Sequence, residues 1–338
     1  MIEPLVSIKN LFFRSRIMHR RTFLKSSLAT AGVVAGMSKL NLAADPLRGC
    51  PAAEETPGKQ AILKLCSQEW NVPGGSVKEK AEKILKWGGC GLEFGGIDVR
   101  RAEEIKKELA GSGVSPAALC YGSHGGGYIS PDPAKRKKAR ADFKRVLDAA
   151  AALGSTGVIW VPCFNGETKL TPQELDKIMT EDLLPELGDY AAKVGSRTIL
   201  EPLTKGETFY INRLEQAAAF CKKLNHPGIC MMGDFYHMAH EEPDQEAAFV
   251  TGGKWVHHVH LATGKSRILP GQEPHSYVAG FKGLKRIGYQ DFCSLECGIK
   301  PTKQITDEKG KPKMVADPDV EIPKAFAFLQ RQWEAAVV

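Results

Sequence analysis

From about residue 60 to the end, the chain repeats one unit eight times: a short apolar run, then an amphipathic stretch. This alternation constrains the fold more than any other feature. An apolar run of four to eight residues suits a strand buried on both faces, and the stretch after it carries helical spacing and caps. Strands joined in this way pair in parallel, because a helix must return the chain to its starting edge. The runs Ile62 to Cys66, Gly91 to Phe94, Ser115 to Tyr121 and Gly157 to Val161 are the first four strands. The next four end at Glu201, Asp234, His260 and Glu296. Helices are expected over Val77 to Trp87, Val99 to Ala110, Pro133 to Leu153, Thr171 to Val194, Arg213 to Leu224, Asp244 to Thr251, Val278 to Ile287 and Ile322 to Ala335. Thr171-Pro172-Gln173-Glu174 is a capping box with proline at the first helical position. Eight units in one chain predict a single closed (β/α)8 barrel. A doubly wound open sheet fits less well, since no GxGxxG follows the first strand.

Glu201, Asp234, His260 and Glu296 follow one another at intervals of 33, 26 and 36 residues, about one strand and helix apart. Buried strands do not end in charge without a reason. In a closed barrel these ends converge on one face, where three carboxylates and an imidazole would repel one another without a cation between them. Oxygen and nitrogen donors with no thiolate suit a hard or borderline divalent ion: Mn²⁺, Mg²⁺, Co²⁺ or Zn²⁺.

Charge is concentrated at the N-terminus. Residues 1–44 hold seven Lys/Arg and one acid, so +6 of the net +7 lies there and the body carries +1. A nearly neutral body makes no electrostatic case for nucleic acid. Arg20-Arg21-Thr22-Phe23-Leu24-Lys25, the mild apolar stretch Ser26 to Met37 and Leu42-Ala43-Ala44 stand in the order of a twin-arginine signal peptide. The expected organisation is a signal over 1–44 cleaved near Ala44, a linker over 45–59 and the barrel over 60–338, with Met18 an alternative start. The expected location is the periplasm, reached through the twin-arginine export machinery, with no stable membrane span after processing. Nine cysteines at irregular spacing, with no CxxC pair, form neither a zinc knuckle nor a disulfide framework.

Leu200-Glu201-Pro202-Leu203, Asp234-Phe235-Tyr236-His237-Met238, His258-Val259-His260 and Leu295-Glu296 resemble the motifs of the xylose-isomerase-like TIM-barrel superfamily. Within it they are similar to the sugar epimerases and isomerases typified by D-tagatose 3-epimerase. The resemblance spans roughly residues 60 to 335. It implies one divalent metal ion, Mn²⁺ foremost, held by Glu201, Asp234, His260 and Glu296. It implies that Glu201 and Glu296 also act as acid and base on opposite sides of a substrate carbon. Glu207, His237 and Arg267 match the family's substrate-binding positions. A sugar or polyol is the expected substrate, and a homo-oligomer is compatible with the pattern. Thr204-Lys205-Gly206-Glu207 departs from the Asn-Arg-Phe-Glu usual in these enzymes, so contacts beside the substrate differ.

Three further features are candidates for binding. Gly122-Ser123-His124-Gly125-Gly126-Gly127 has the composition of an anion cradle, and His124 is expected to point toward the barrel mouth. Trp70, after the first strand, is a candidate platform for a sugar ring. The same ligand set would also serve a related lyase of the inosose or dehydroshikimate dehydratase type, or a carbohydrate-binding barrel without catalysis. An endonuclease IV-like repair enzyme would need extra histidines after strands 2 and 3 and an Asp-x-His after strand 7, whereas here strand 2 ends Leu92-Glu93-Phe94-Gly95-Gly96 and strand 7 is followed by Glu273-Pro274-His275.

Overall fold

The computed structural model describes residues 60–308 and 310–338. The expected signal and linker lie outside the described residues.

Eight parallel strands close into a barrel: β1 (Lys64–Gln68), β2 (Gly91–Gly95), β3 (Ser115–Cys120), β4 (Val158–Trp160), β5 (Thr198–Leu200), β6 (Ile229–Asp234), β7 (Val256–Leu261) and β8 (Phe292–Leu295). Closure comes from β1 pairing with β8, with Cys66 opposite Ser294. The helices are α1 (Val77–Lys86), α2 (Val99–Leu109), α3 (Pro133–Leu153), α4 (Pro172–Ile178), α5 (Leu184–Val194), α6 (Leu214–Leu224), α7 (Phe235–Glu241), α8 (Gln245–Gly252), α9 (Val278–Arg286) and α10 (Pro318–Ala335). None of the described helices is long and apolar enough to cross a membrane.

Local chemistry accounts for many helix starts. Ser76, Asp98, Asp132 and Asp244 each accept a hydrogen bond from a backbone N–H of the first turn. At Thr171 the capping box forms in both directions: the hydroxyl accepts from Glu174 N–H at 3.3 Å, and the Glu174 carboxylate accepts from Thr171 N–H at 2.7 Å. The helix expected from Thr171 to Val194 is interrupted by a π-turn over Met179–Leu183. Pro185 supplies a reason: it has no N–H for the carbonyl of Glu181, four residues back.

Two elements depart from the sequence pattern. Phe235–Glu241 forms α7 directly at the end of β6, where no helix was expected, because Asp234 caps it. The polar stretch Lys300 to Asp317 contains an antiparallel hairpin, β9 (Lys303–Thr306) with β10 (Pro312–Val315). Neither strand is buried, so no hydrophobic period marks it.

The main core lies between the outward faces of the strands and the helices, with Leu92, Leu119, Trp160, Phe143, Phe249 and Phe281 among its buried members. Each large apolar side chain there contributes about 1.5–3 kcal/mol. The barrel interior divides by strand. On β3 to β6 it is filled by Ala118, Ile159, Ile199, Cys230 and Met232. Beyond them, Gln68, Glu93, His258, His260 and Ser294 are all buried polar residues on β1, β2, β7 and β8. A polar wedge inside a barrel is costly unless its groups are paired, and its pairing positions the site.

Candidate functional site

The four strand-end residues meet as expected. Glu201, Asp234, His260 and Glu296 are buried, and one donor atom from each lies within 4.8 Å of the others. Each arrives from a different strand. Asp234 and His260 stand opposite each other in the β6–β7 register, and Ser294, two residues before Glu296, stands opposite His260. Asp234 divides its oxygens: Oδ1 accepts the N–H of Tyr236 at 2.8 Å and caps α7, so Oδ2 is left for the cluster.

The buried charges of the cluster act strongly on one another. Burial, together with the neighbouring charge of Glu296, pushes Glu201 up to about 7. Burial opposes a charge on Glu296 too, but His260 and Arg267 outweigh it and hold that carboxyl well below its usual range. Burial works against protonating His260, yet Glu93 and Glu296 raise it well above an ordinary histidine. His260 directs Nε2–H to Glu93 Oε2 at 3.0 Å, which turns Nδ1 toward Glu296 at 2.9 Å and Glu201 at 3.5 Å. Neither His260 Nδ1 nor Glu201 Oε1 makes a hydrogen bond, although both are buried. A divalent ion would give both atoms a partner. The donor set and its unpartnered atoms therefore fit a metal centre, and Glu201, Asp234, His260 and Glu296 are the residues that would hold it.

Three of the expected substrate contacts surround this cluster. The Arg267 guanidinium lies 3.0 Å from Asp234, 2.6 Å from Glu296 and 3.5 Å from Glu207, with its carbon 4.9 Å from the Tyr236 ring centre. Its backbone is left-handed at φ 50, and Gly298 N–H donates to its carbonyl at 2.8 Å. His237 accepts the N–H of Thr204 on Nδ1 at 3.1 Å. Burial lowers its pKa to about 4, so the ring is neutral near pH 7 and carries its proton on Nε2. That nitrogen lies 3.4 Å from Asp234 and makes no hydrogen bond, a donor directed into the cluster.

His124 and Trp70 are placed differently. The His124 ring bonds Asp142 of α3 at 2.9 Å and packs between Tyr121 and Tyr128. It is therefore committed to α3 rather than directed at the barrel mouth. Ser123 bonds Glu167 at 3.0 Å, and the Glu167 side chain and carbonyl crowd Gly126. Two carboxylates against this glycine loop make it a poor phosphate cradle. Trp70 sits on the turn after β1, beside Gly95 at the rim, and is 51% exposed.

The site also contains residues that the motifs did not single out. Glu93, in the middle of β2, accepts from His258 at 2.8 Å and from His260 at 3.0 Å on Oε2, and from Gln68 at 2.9 Å on Oε1. A lone carboxylate within Gly91-Leu92-Glu93-Phe94 is a legible anomaly, but its partners are 25, 165 and 167 residues away.

Comparison with known proteins agrees with this fold. A family model described as xylose isomerase-like TIM barrel matches residues 84–330. Among curated proteins, 3-dehydro-D-guloside 4-epimerase of Escherichia coli K12 is 29% identical over 236 residues, covering 67% of this chain and 88% of its own. D-psicose 3-epimerase of Ruminiclostridium cellulolyticum is 27% identical over 241 residues, covering 68% and 80%. Among solved structures, apo 3-keto-D-glucoside 4-epimerase from E. coli superposes with a TM-score of 0.67 at 24% identity, covering 80% of this chain and all of that one. The match extends over most of the barrel, including all four candidate ligands, and the chain belongs to the xylose isomerase-like TIM barrel family.

Proposed function

We propose that this protein is a divalent-metal-dependent sugar epimerase acting on a keto sugar or an oxidised glycoside. The observation that carries this reading is the convergence of Glu201, Asp234, His260 and Glu296 within 4.8 Å, beside the neutral donor His237 and the cation Arg267. The curated relatives named as 3-dehydro-D-guloside 4-epimerase and D-psicose 3-epimerase support the substrate class.

A proton beside a sugar carbonyl is weakly acidic, so its removal needs both a base and charge on the carbonyl oxygen. When bound, the metal supplies that charge. His237 Nε2–H and the Arg267 guanidinium hold substrate oxygens, with Glu207 steadying Arg267. One of Glu201 and Glu296 removes the proton from one face of the carbon, and the other delivers a proton to the opposite face, which inverts the centre. Burial suits both carboxylates to this exchange, because few waters compete for the proton.

The test is a panel of keto sugars, aldoses and oxidised glycosides in D₂O with added Mn²⁺, followed by NMR. The reading predicts deuterium at a single carbon, together with the epimer, for at least one compound. Loss of a β-hydroxyl instead would mark a dehydratase. Binding without exchange would mark a carbohydrate-binding barrel.

A further inference from the structure

Glu93 is a fully buried carboxylate on β2, with no role in the chemistry above. Both its oxygens are engaged: Gln68 from β1 donates to Oε1, and His258 and His260 from β7 both donate to Oε2. We propose that Glu93 is a positioning residue for the metal centre. By taking Nε2–H of His260 it leaves Nδ1 as the nitrogen available to the ion, and its charge makes that nitrogen a stronger donor. The inference rests on the reading of Glu201, Asp234, His260 and Glu296 as metal ligands.

Geometry supports the assignment. A histidine ring can turn about two side-chain bonds, and either nitrogen can carry the proton. The hydrogen bond to Glu93 removes both freedoms for His260. Carboxylates behind ligating imidazoles commonly act in this way. His258 crosses the His260 ring at 88° with centroids 5.1 Å apart, and its own bond to Glu93 holds the carboxylate from the other side. Gln68 fixes the remaining oxygen, so the carboxylate cannot rotate away. A rigid chain thus runs from β1 through β2 to the ligand on β7.

A second ion shared by Glu93, His258 and His260 is the competing reading, since their donor atoms also cluster within 4.8 Å. Both imidazole nitrogens lie at hydrogen-bond distance from one oxygen, 2.8 and 3.0 Å, which favours the positioning role.

The experiment measures Mn²⁺ affinity and stoichiometry by calorimetry, with the Co²⁺ absorption spectrum as a report on ligand geometry. It compares wild type, Glu93→Gln, Glu93→Asp and Asp234→Asn. Asp234→Asn tests the metal centre itself: if affinity is unchanged there, the centre has been misassigned and both readings fail. If Asp234→Asn loses binding, the inference expects one ion per chain in wild type. It expects affinity to fall roughly 10- to 100-fold in Glu93→Gln, with an altered Co²⁺ spectrum. Glu93→Asp retains the charge but withdraws it by one methylene, so it should also bind more weakly and answers the question if Glu93→Gln does not fold. Wild-type affinity and spectrum in folded Glu93 variants would reduce Glu93 to a structural residue. A second equivalent of metal, lost in Glu93→Gln, would overturn the positioning role in favour of a second site.

Discussion

The Arg267 guanidinium lies 2.6 Å from a carboxylate oxygen of Glu296, and the same nitrogen lies 3.0 Å from Asp234. A single side chain is thus shared between two of the four candidate ligands. It can do so because the loop from Thr263 to Glu273 turns it back over the barrel mouth. Thr263 O accepts the Arg267 N–H at 3.2 Å, and Gly298, just past β8, donates to its carbonyl. The cluster therefore carries both its carboxylates and a cation beside them.

Removing that cation should expose the repulsion it offsets. Arg267→Ala is expected to destabilise the metal-free protein by about 3 kcal/mol, the scale for breaking a buried ion pair. Mn²⁺ should restore most of the loss, because an ion supplies the same charge. Thermal unfolding with and without Mn²⁺ checks this; equal losses in both states would show that Arg267 does not share the role of the ion.

Chelation gives a complementary outcome. Metal present at about 100 times its dissociation constant should stabilise the native protein by about 2.7 kcal/mol. EDTA should lower the melting temperature accordingly, by several degrees, and abolish activity. Asp234→Asn should respond to neither metal nor chelator. Differential scanning calorimetry of both proteins provides the comparison.

The two candidate bases should be separable. Glu296→Gln is expected to reduce turnover by about 100-fold or more, the usual contribution of a general base. The loss should appear in kcat, with solvent deuterium no longer exchanged in the direction in which Glu296 removes the proton. Glu201→Gln should show the opposite asymmetry between the two epimers. Normal exchange in both single variants would rule out a two-base mechanism.

Acid should release the loop that bears Arg267. Partial burial opposes the charge on Glu273, but bonds from the Thr263 hydroxyl and from the N–H groups of Ser266 and Lys265 outweigh it and lower its pKa to about 2. A lowered carboxylate pKa stabilises above the unfolded value of 4.5 and loses that effect as pH falls toward 2. The protection of the Ser266 amide, its exchange rate compared with that of a free peptide at the same pH, should therefore fall across that window in wild type. In Glu273→Gln protection should be absent throughout, with KM raised even at neutral pH. A protected Ser266 amide in Glu273→Gln would refute the clamp.

We propose that residues 1–44 direct export through the twin-arginine machinery. Replacing Arg20 and Arg21 together by lysine should retain the protein in the cytoplasm with its N-terminus uncut. N-terminal sequencing of the exported wild type should begin near Asp45; a wild-type protein found intact in the cytoplasm would contradict the proposal.

The parts of the site that could be read from the chain share one property: each is marked where it occurs. Glu201, Asp234, His260 and Glu296 each break an apolar run at its end, and parallel strands carry all such ends to one face. The capping box at Thr171 and the start of α3 at Pro133 are equally local. α7 escaped this reading because Asp234 serves both as a strand end and as a helix cap. The hairpin of β9 and β10 escaped it because exposed strands carry no burial pattern. His124 was misplaced because a loop residue's direction depends on its backbone, here left-handed at φ 54, and on Asp142, which lies 18 residues further on.

Periodicity and strand-end charge were thus enough to define a closed barrel and to single out four side chains that meet in it. They could not show which interior side chains meet across it. Glu93 reaches His258 and His260 because β8 closes onto β1, bringing β2 and β7 near each other over a sequence distance of more than 160 residues. Arg267 reaches Asp234 and Glu296 because its loop is bonded back to the exit of β8. Both relationships depend on strand register and ring closure, which arise from the packing of all eight units together and are encoded in no single segment.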